Sequence, residues 1–397
     1  MDFWKFVDDN INADVMKLRL KYHNSSHALP FDAETAISQI ECRRKFGKKL
    51  AETLSHNPHF LFPDALSGEQ STSDLLAGYH ASLINEGERV IDLTAGLGID
   101  CLHFAEKTPH VTAIEINPLK AEALTLNSEG KIHVVCVDCR EYVAAYDGPK
   151  CDTAFIDPAR RATDGSRVYA LEQCEPDVTT MLADIFRSSR RLIVKMSPML
   201  DITRSAEELQ SVRRMIALGT RAECKELIAV CYRPSSISQS MLTEAVTLLS
   251  DGSQVSFTFS RDEELKTTAT YAEPHAGGYL YEPYPAVMKA GPFRLLSERF
   301  GVDKLSTNTH LYTSEQPVSG FPGEISVIKE VLPYSSSVIK RLRKQYPKIN
   351  VASRNFDIPA DAVKKKLGVK DGGELKLTAT RTDRPILIVT ERIEPEP

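Results

Sequence analysis

The sequence predicts an α/β protein built on a mostly parallel sheet, with a helical region before it and a smaller α+β region after it. Short apolar runs alternate with helix-like stretches from Arg89 onward, which is the pattern of βαβ units. The residues before this stretch show helical periodicity, and those after about Arg261 are rich in Gly, Pro and Tyr. With 397 residues the chain is long enough for two or three domains.

Residues 1–80 are predicted to form a helical N-terminal region. In the segment 32–54, apolar residues recur at spacings of three and four with polar residues between them, as on one face of a helix. These apolar positions are Ala36, Ile37, Ile40, Phe46, Leu50 and Leu54.

Residues 81–262 are predicted to form the sheet domain. Seven apolar runs are candidate strands, and the first five are separated by segments long enough for crossover helices. The runs are RVIDL, HVTAIEI, KIHVVCV, CDTAFID, RRLIVKM, CKELIAVCY and SQVSFTFS. Between the last two, residues 233–252 are predicted to contain a helix and a turn.

The C-terminal part is predicted to contain two small modules. Residues 263–322 form a ferredoxin-like or other α+β domain, and residues 323–397 contain a helix, a short helix and a pair of strands. Ten Lys or Arg residues lie between Lys340 and Lys370 against two acids, a local excess of +8 in a chain of net charge −5. These basic residues either bind the phosphates of a nucleic acid or lie on the solvent-exposed faces of two helices.

Composition narrows the class of protein. Apolar residues make up 42% and charged residues 26%, and no segment approaches the roughly 18 apolar residues of a membrane span. The N-terminus lacks the pattern of a secretory signal, and eight scattered cysteines suit a reducing compartment. We therefore expect a cytoplasmic protein that does not enter a membrane.

The loop after the first strand, VIDLTAGLGID, indicates a ligand with positive charge. Gly96 and Gly98 lack the third glycine of a dinucleotide-binding loop, and Asp92 and Asp100 flank them. Carboxylates would repel a pyrophosphate, whereas they attract an ammonium or a sulfonium.

Three further acids follow the next strands. Glu115 lies 23 residues after Asp92, Asp138 follows the third candidate strand with Cys139 beside it, and Asp157 ends the fourth. The carboxyl ends of parallel strands line one crevice, so we expect these acids to converge. For each acid taken alone, a helix N-cap is the alternative.

These motifs resemble those of class I S-adenosylmethionine-dependent methyltransferases over roughly residues 70–260. VIDLTAGLGID is similar to their first motif, AIEINP to the second, CVDCREYV to the third and FIDPARR to the fourth. The resemblance implies a Rossmann-like seven-stranded sheet with SQVSFTFS as its antiparallel last strand. It also implies secondary contacts from Gln70–Ser73, for which a capping box before a helix is the alternative. It also implies S-adenosyl-L-methionine as cofactor, held by Asp92, Thr94, Ala95, Gly96, Gly98, Asp100, Glu115, Ile116, Asp138, Cys139 and Asp157.

The C-terminal region resembles the THUMP-like domain of a bacterial methyltransferase family. Because THUMP domains occur in RNA-modifying enzymes, the resemblance implies structured RNA, a tRNA or rRNA, as substrate. The residues expected to bind it are Arg160, Arg161, Lys340, Arg341, Lys364, Lys365 and Lys366.

Two kinds of methyl acceptor can be compared. DPAR is similar to the fourth motif of enzymes that methylate carbon 5 of uracil, but Met196 stands where their nucleophilic cysteine would precede Pro198. Methylation at nitrogen needs only an acceptor for the amine hydrogens and correct placement. We therefore expect Asp157, Pro158 and Arg160 to act on a base nitrogen, with Arg160 stacking on the base or binding a phosphate.

Other functions remain open. The pair Cys136 and Cys139 has the spacing of half a zinc site, but no second pair follows, so no metal is expected. The alternatives are a methyltransferase that acts on a protein or small molecule, and an inactive protein that binds cofactor and RNA.

Overall fold

The computed structural model describes residues 2–22, 29–160, 170–233 and 240–393. The chain divides into two compact units, the first made of Met1–Arg213 and Ile228–Ser238 and the second of Arg214–Leu227 and Gln239–Pro397. The dividing line therefore passes through two consecutive strands.

The first unit begins with the predicted helical region. Its helices are α1 (Phe3–Asp9), α2 (Val15–Tyr22), α3 (Ala33–Phe46), α4 (Ala51–His56), α5 (Ala65–Gln70) and α6 (Asp74–Ser82). Helix α3 begins at the cap residue Asp32, whose side chain accepts a hydrogen bond from Thr35 N, and it buries the predicted apolar face around Ile37 and Ile40. The prediction of a helical N-terminus is confirmed.

A parallel sheet forms the rest of the first unit. The strands are β1 (Val90–Asp92), β2 (Val111–Glu115), β3 (Ile132–Cys136), β4 (Cys151–Ile156), the short β5 (Ala159–Arg160) and β6 (Cys174–Glu175), and β7 (Ser189–Met196). The helices between and after them are α7 (Ile99–Ala105), α8 (Pro118–Asn127), α9 (Cys139–Ala145), α10 (Val178–Ser188) and α11 (Ile202–Leu209).

The strand order places β1 at the centre of this sheet. The order is β7-β4-β1-β2-β3, and the pairs β4–β7, β1–β4, β1–β2 and β2–β3 are all parallel. Asp92 pairs in register with Ala113 on one side and Phe155 on the other. Because parallel strands end at the same edge, the residues that follow β1, β2 and β4 face one crevice.

The second unit contains a small strand group and a second sheet. The first group includes β8 (Val212–Thr220), the start of β9 (Cys224–Tyr232), β10 (Leu242–Leu248) and β11 (Gln254–Ser260), followed by α12 (Arg261–Lys266). Within it, β8 and β10 are parallel, and β10 and β11 are antiparallel.

The second sheet has the order β13-β14-β12-β15-β18-β17-β16. Its elements are β12 (Tyr279–Pro283), α13 (Pro285–Ala290), α14 (Phe293–Phe300), β13 (Asp303–Ser306), β14 (Thr309–Ser314), β15 (Gly323–Pro333), α15 (Ser336–Gln345), β16 (Asn350–Ser353), α16 (Ala360–Leu367), β17 (Leu375–Arg381) and β18 (Pro385–Arg392). One core lies under α15 and α16, where Leu342, Val363 and Leu367 pack with Leu377 and Leu387.

The α/β fold class and all seven predicted strands are confirmed, but two further strands were missed, and one of them was predicted to be a helix. The strands β8 and β10 were not predicted, and Leu242–Leu248 was expected to be helical. SQVSFTFS is antiparallel as expected, yet its partner is the unpredicted β10. Glu, Ala and Leu give LTEAVTL a helical composition, and pairing along both edges of β10 overrides that local preference.

No helix in the described part of the chain combines the length and the apolar character that a membrane crossing needs.

Candidate active site

The loop after β1 is tightly folded against β2. Ala95 N donates to Ile114 O at 2.9 Å, and Gly98 N donates to Ala95 O at 2.8 Å. Gly98 has a φ of 84°, and a Cβ atom there would lie 2.1 Å from the Leu124 Cδ1 atom. Gly96 has a φ of 56°. Both glycines are thus required by backbone conformation, and Gly98 also by the close approach of α8.

Asp92 is a buried carboxylate at the end of β1. It is 2% exposed, accepts from Thr94 N at 3.0 Å and lies 3.2 Å from the Cys101 thiol, a donor. Burial and the nearby charge of Asp100 raise its pKa from 3.8 to about 7. An ionised Asp92 would therefore be stabilised by a ligand that brings positive charge.

Asp100 is buried beside Asp92 but has partners of its own. His80 Nδ1 lies 2.6 Å from its Oδ1 atom, and the Thr72 hydroxyl donates to its Oδ2 atom at 2.6 Å. Burial works to raise the pKa of Asp100, but His80, Lys195 and Thr72 outweigh it, so that the pKa is well below its usual range. Asp100 is therefore an ionised member of the pair.

Asp157 follows β4 and is joined to this network by Lys195 of β7. Lys195 Nζ donates to Asp157 Oδ2 at 2.7 Å and to Thr72 Oγ1 at 2.9 Å. Asp157 N donates to Thr94 Oγ1 at 2.7 Å, which ties the end of β4 to the loop after β1. The Lys195 side chain is 12% exposed and that of Asp157 is 39% exposed. Asp157 is the more open end of the network.

Glu115, at the end of β2, holds the loop from the other side. Its Oε2 atom accepts from Gly96 N at 2.8 Å, and its Oε1 atom accepts from Asn117 N at 2.7 Å. The adjacent Ile116 is 64% exposed, so an apolar side chain stands beside a buried carboxylate. Each carboxylate oxygen retains a second lone pair for a ligand hydroxyl.

Asp138 has the alternative role recognised in the sequence, that of a helix cap. Its side chain accepts from Arg140 N at the start of α9 and forms a bidentate ion pair with the Arg140 guanidinium, which also contacts Glu175 at 2.8 Å. The hydrogen bonds from Arg140 lower the pKa of Asp138. Cys139 beside it is buried, and burial raises the pKa of its thiol to about 11.

The residues after Asp157 are described in part. Pro158 is buried, and the backbone of Arg160 pairs with Cys174 in the short β5–β6 ribbon. Arg161 lies outside the described residues.

Five of the seven basic residues predicted to bind substrate lie on α15 and α16. Lys340, Lys365 and Lys366 are exposed, and Lys366 also lies over the Tyr334 ring. Arg341 forms an ion pair with Glu330, and Lys364 forms one with Asp371. The predicted set therefore divides into exposed cations and cations already matched by an acid.

Carbon methylation would need a thiol that can reach the base. Cys151 and Cys174 are both buried.

Potential metal ligands come together elsewhere, where Glu52, His56 and Glu106 place their ligand atoms within 4.8 Å of one another on the surface. The expected absence of a metal stays a prediction.

Sequence reasoning missed His80 and Lys195. Thr72 falls within Gln70–Ser73, the segment expected to provide secondary contacts, and Ser73 caps α6 by accepting a hydrogen bond from Leu76 N. Lys195 could have been found as a charged residue near the carboxyl end of an otherwise apolar strand. His80 has no comparable signal, because a histidine in a helix has many possible roles.

Two family models match the second unit. A ferredoxin-like domain matches residues 279–322, and a THUMP domain-like model matches residues 324–392. The predicted THUMP-like domain at the C-terminus is thus confirmed. Comparison with curated proteins gives no match.

A solved structure resembles the whole chain. The crystal structure of a "putative methyltransferase" from Porphyromonas gingivalis W83 is 30% identical, with a TM-score of 0.89, and covers 99% of this chain and 98% of its own. The chain belongs to the family of that protein. The α/β fold of this chain, with its methyltransferase-like sheet, is the fold that the sequence predicts.

More distant structures match only part of the chain. A "putative RNA methyltransferase" from Pyrococcus horikoshii is 19% identical with a TM-score of 0.34, covering 47% of this chain and 99% of its own. An S-adenosylmethionine-dependent methyltransferase from Neisseria gonorrhoeae is 21% identical with a TM-score of 0.29, covering 43% and 69%. Each of these two structures covers less than half of this chain.

Proposed function

We propose that this protein is an S-adenosylmethionine-dependent methyltransferase that modifies a base nitrogen in structured RNA, a tRNA or an rRNA. One observation carries the proposal: the acids at the carboxyl ends of β1, β2 and β4 converge on a glycine-containing loop. The chain is similar over its full length to a "putative methyltransferase". With Asp100 beside Asp92, four acids lie around one loop and suit a cationic ligand.

The residues present fit this cofactor. Asp92 is buried, and its raised pKa means that ionising it costs free energy unless a cation is bound. The ammonium and sulfonium groups of S-adenosylmethionine are such cations. Glu115 can accept ribose hydroxyls, and the exposed Ile116 offers an apolar surface to the adenine. When bound, the cofactor supplies an electrophilic methyl group.

Asp138 is proposed as a weaker contact to the adenine. Its cap and its ion pair with Arg140 use part of its capacity, and each oxygen can still accept a further hydrogen bond. Cys139 beside it offers its backbone N–H or an apolar contact.

Asp157 is proposed to receive the hydrogen of the reacting nitrogen. Its side chain is the most open in the linked network, and Thr94 fixes the backbone from which it projects. Pro158 then restricts the direction of the chain after it. Arg160 and Arg161 are proposed to contact the base or the neighbouring phosphate.

The THUMP-like domain is proposed to bind the RNA backbone. Exposed Lys340, Lys365 and Lys366 lie on α15 and α16, two helices of one small core. Lysine ammonium groups bind phosphates as point charges, without regard to base sequence. Arg341 and Lys364 would bind phosphate only if each released the acidic side chain with which it forms an ion pair.

Calorimetry with S-adenosylmethionine tests the cofactor. Asp92→Ala and Glu115→Ala should weaken binding by about tenfold or more, because each removes a charged hydrogen-bonding partner of the ligand. Lys107→Ala, an exposed residue after α7, serves as the control. Absence of heat with the intact protein would refute the cofactor.

The target is tested by comparing modified nucleosides in RNA from cells with and without the gene. A methylated base that disappears with the gene identifies the base and the atom. An unchanged nucleoside profile, together with normal cofactor binding, would favour a protein or small-molecule substrate, or an inactive binding protein.

A further inference from the structure

Lys195 lies next to Asp157, the proposed proton acceptor, and the proposed function gives Lys195 no role. Its ammonium lies 2.7 Å from Asp157 Oδ2 and 2.9 Å from Thr72 Oγ1. The single hydroxyl hydrogen of Thr72 is donated to Asp100 Oδ2 at 2.6 Å, so Thr72 can only accept from Lys195. The ammonium is therefore held in place from two sides.

This arrangement sets the charge close to the reacting atom. A substrate nitrogen that donates to Asp157 would lie about 3 Å from the carboxylate, and hence on the order of 5 Å from the Lys195 ammonium. The Lys195 side chain is 12% exposed, so solvent screens this interaction weakly. A positive charge at this distance favours a reacting group that becomes negative and disfavours one that becomes positive.

The nitrogens of nucleobases divide into two classes by the charge that each develops during methylation. An exocyclic amine, or a ring nitrogen without hydrogen such as N1 of adenine, attacks as a neutral group and becomes positively charged. A lactam nitrogen, an N–H beside a carbonyl as in guanine N1 or uracil N3, first loses its proton and places negative charge on the neighbouring oxygen.

We infer that Lys195 and Asp157 together select a lactam nitrogen, the N1 of guanine or the N3 of uracil, as the methyl acceptor. The inference rests on the proposed function and narrows its base nitrogen to one class. Asp157 takes the proton from the ring nitrogen, and Lys195 stabilises the negative charge that is shared by that nitrogen and the carbonyl oxygen. The N–H bond breaks and its proton stays on Asp157. The N–CH₃ bond would form as the S–CH₃ bond of the sulfonium methyl donor breaks with its electron pair left on sulfur, so the anionic base and the cationic donor give two neutral products.

Binding without cofactor tests the selection directly. Two fluorescent oligonucleotides of one sequence would carry inosine, which presents a lactam, or adenosine, which presents an amine, at the purine positions. By fluorescence anisotropy the intact protein should bind the inosine form about tenfold more tightly, because Asp157 and Lys195 match its N–H and carbonyl. Lys195→Met should remove this preference, Lys195→Arg should retain most of it, and Lys107→Met should leave it unchanged.

Equal binding of the two oligonucleotides by the intact protein would overturn the inference, as would a preference that survives in Lys195→Met. Thermal unfolding and calorimetry with S-adenosylmethionine show whether that variant still folds and binds cofactor. If Lys195→Met does not fold, the inference is tested by the intact protein and the Lys195→Arg variant. Both should bind the inosine oligonucleotide more tightly than the adenosine oligonucleotide.

Product identity separates this inference from the proposed function. RNA from cells lacking the gene, incubated with the intact protein and cofactor, should gain 1-methylguanosine or 3-methyluridine. A methylated exocyclic amine or 1-methyladenosine would overturn the lactam assignment and leave the RNA methyltransferase assignment standing. Absence of any methylated nucleoside would overturn the proposed function.

Discussion

The acidic site of the first unit and the basic helices of the second unit hold their charges in opposite ways. Asp92 and Asp100 are 2% and 8% exposed and belong to a network of short hydrogen bonds, whereas Lys340 and Lys365 project from helices into solvent. A buried charge depends on each of its partners, and an exposed charge is screened by water and salt. Single substitutions should therefore have large effects in the first region and small, additive ones in the second.

The largest effect is expected at the open end of the acidic network. Asp157→Ala should lower methyl transfer by about 10²- to 10⁴-fold, because it removes the group that accepts the proton. Cofactor affinity should change little. Turnover is measured with labelled cofactor and affinity by calorimetry.

Asp152→Ala is the matched control for that substitution. Asp152 lies at the start of β4, the strand that Asp157 follows, and it pairs with Arg190. If Asp157→Ala retained the turnover of Asp152→Ala, Asp157 would have no catalytic role.

The next effect concerns the buried pair of His80 and Asp100. His80→Ala leaves Asp100 buried without the partner at 2.6 Å and should lower the free energy of unfolding by about 3–5 kcal/mol. Urea denaturation measures the change. The double variant His80→Ala/Asp100→Asn should recover part of the loss, and a single-variant loss below about 1 kcal/mol would show that the pair adds little.

A pH-dependent effect is expected from Asp92. Its pKa rises from 3.8 in the unfolded chain to about 7 in the folded protein, so between these values the folded state binds more protons. The contribution of Asp92 to stability is present below pH 4 and is lost as the pH rises through about 7. The full loss is on the order of 4 kcal/mol, since one unit of pKa shift corresponds to about 1.4 kcal/mol.

Asp92→Asn should remove this contribution to the pH dependence, as measured by urea denaturation of both proteins from pH 5 to pH 8. Because a cationic ligand favours the ionised carboxylate, cofactor binding near pH 6 should release a proton. Heats of binding that do not depend on the ionisation enthalpy of the buffer would contradict that part of the prediction.

The smallest effect per residue is expected on the basic helices. Joint replacement of Lys364, Lys365 and Lys366 by Ala should flatten the salt dependence of RNA binding by about two in log–log slope, since Lys364 is already paired with Asp371. Anisotropy with labelled tRNA over a range of salt concentrations measures the slope. Replacement of Lys5, Lys17 and Lys107 in the first unit is the control, and a slope equal to that of the control would argue against phosphate contacts on α16.

Much of the fold was accessible from local patterns. The burial of Ile37 and Ile40 follows from helical periodicity, and the strand ends at Asp92, Glu115 and Asp157 follow from apolar runs that stop at an acid. The two glycines of the first loop were also local signals, because a positive φ is a property of single residues. The strand β10 was missed because its residues favour a helix when taken alone.

The sequence by itself determined which residue types stand at the ends of the strands, and thus the acidic character of the site. Only the tertiary structure decided which acids keep a partner. Lys195 meets Thr72 from 123 residues away, and His80 meets Asp100 across 20. Asp138 is instead matched by Arg140 two residues away. The physical reason is that burial and pairing set the free energy of a charge, and both arise when distant segments pack together.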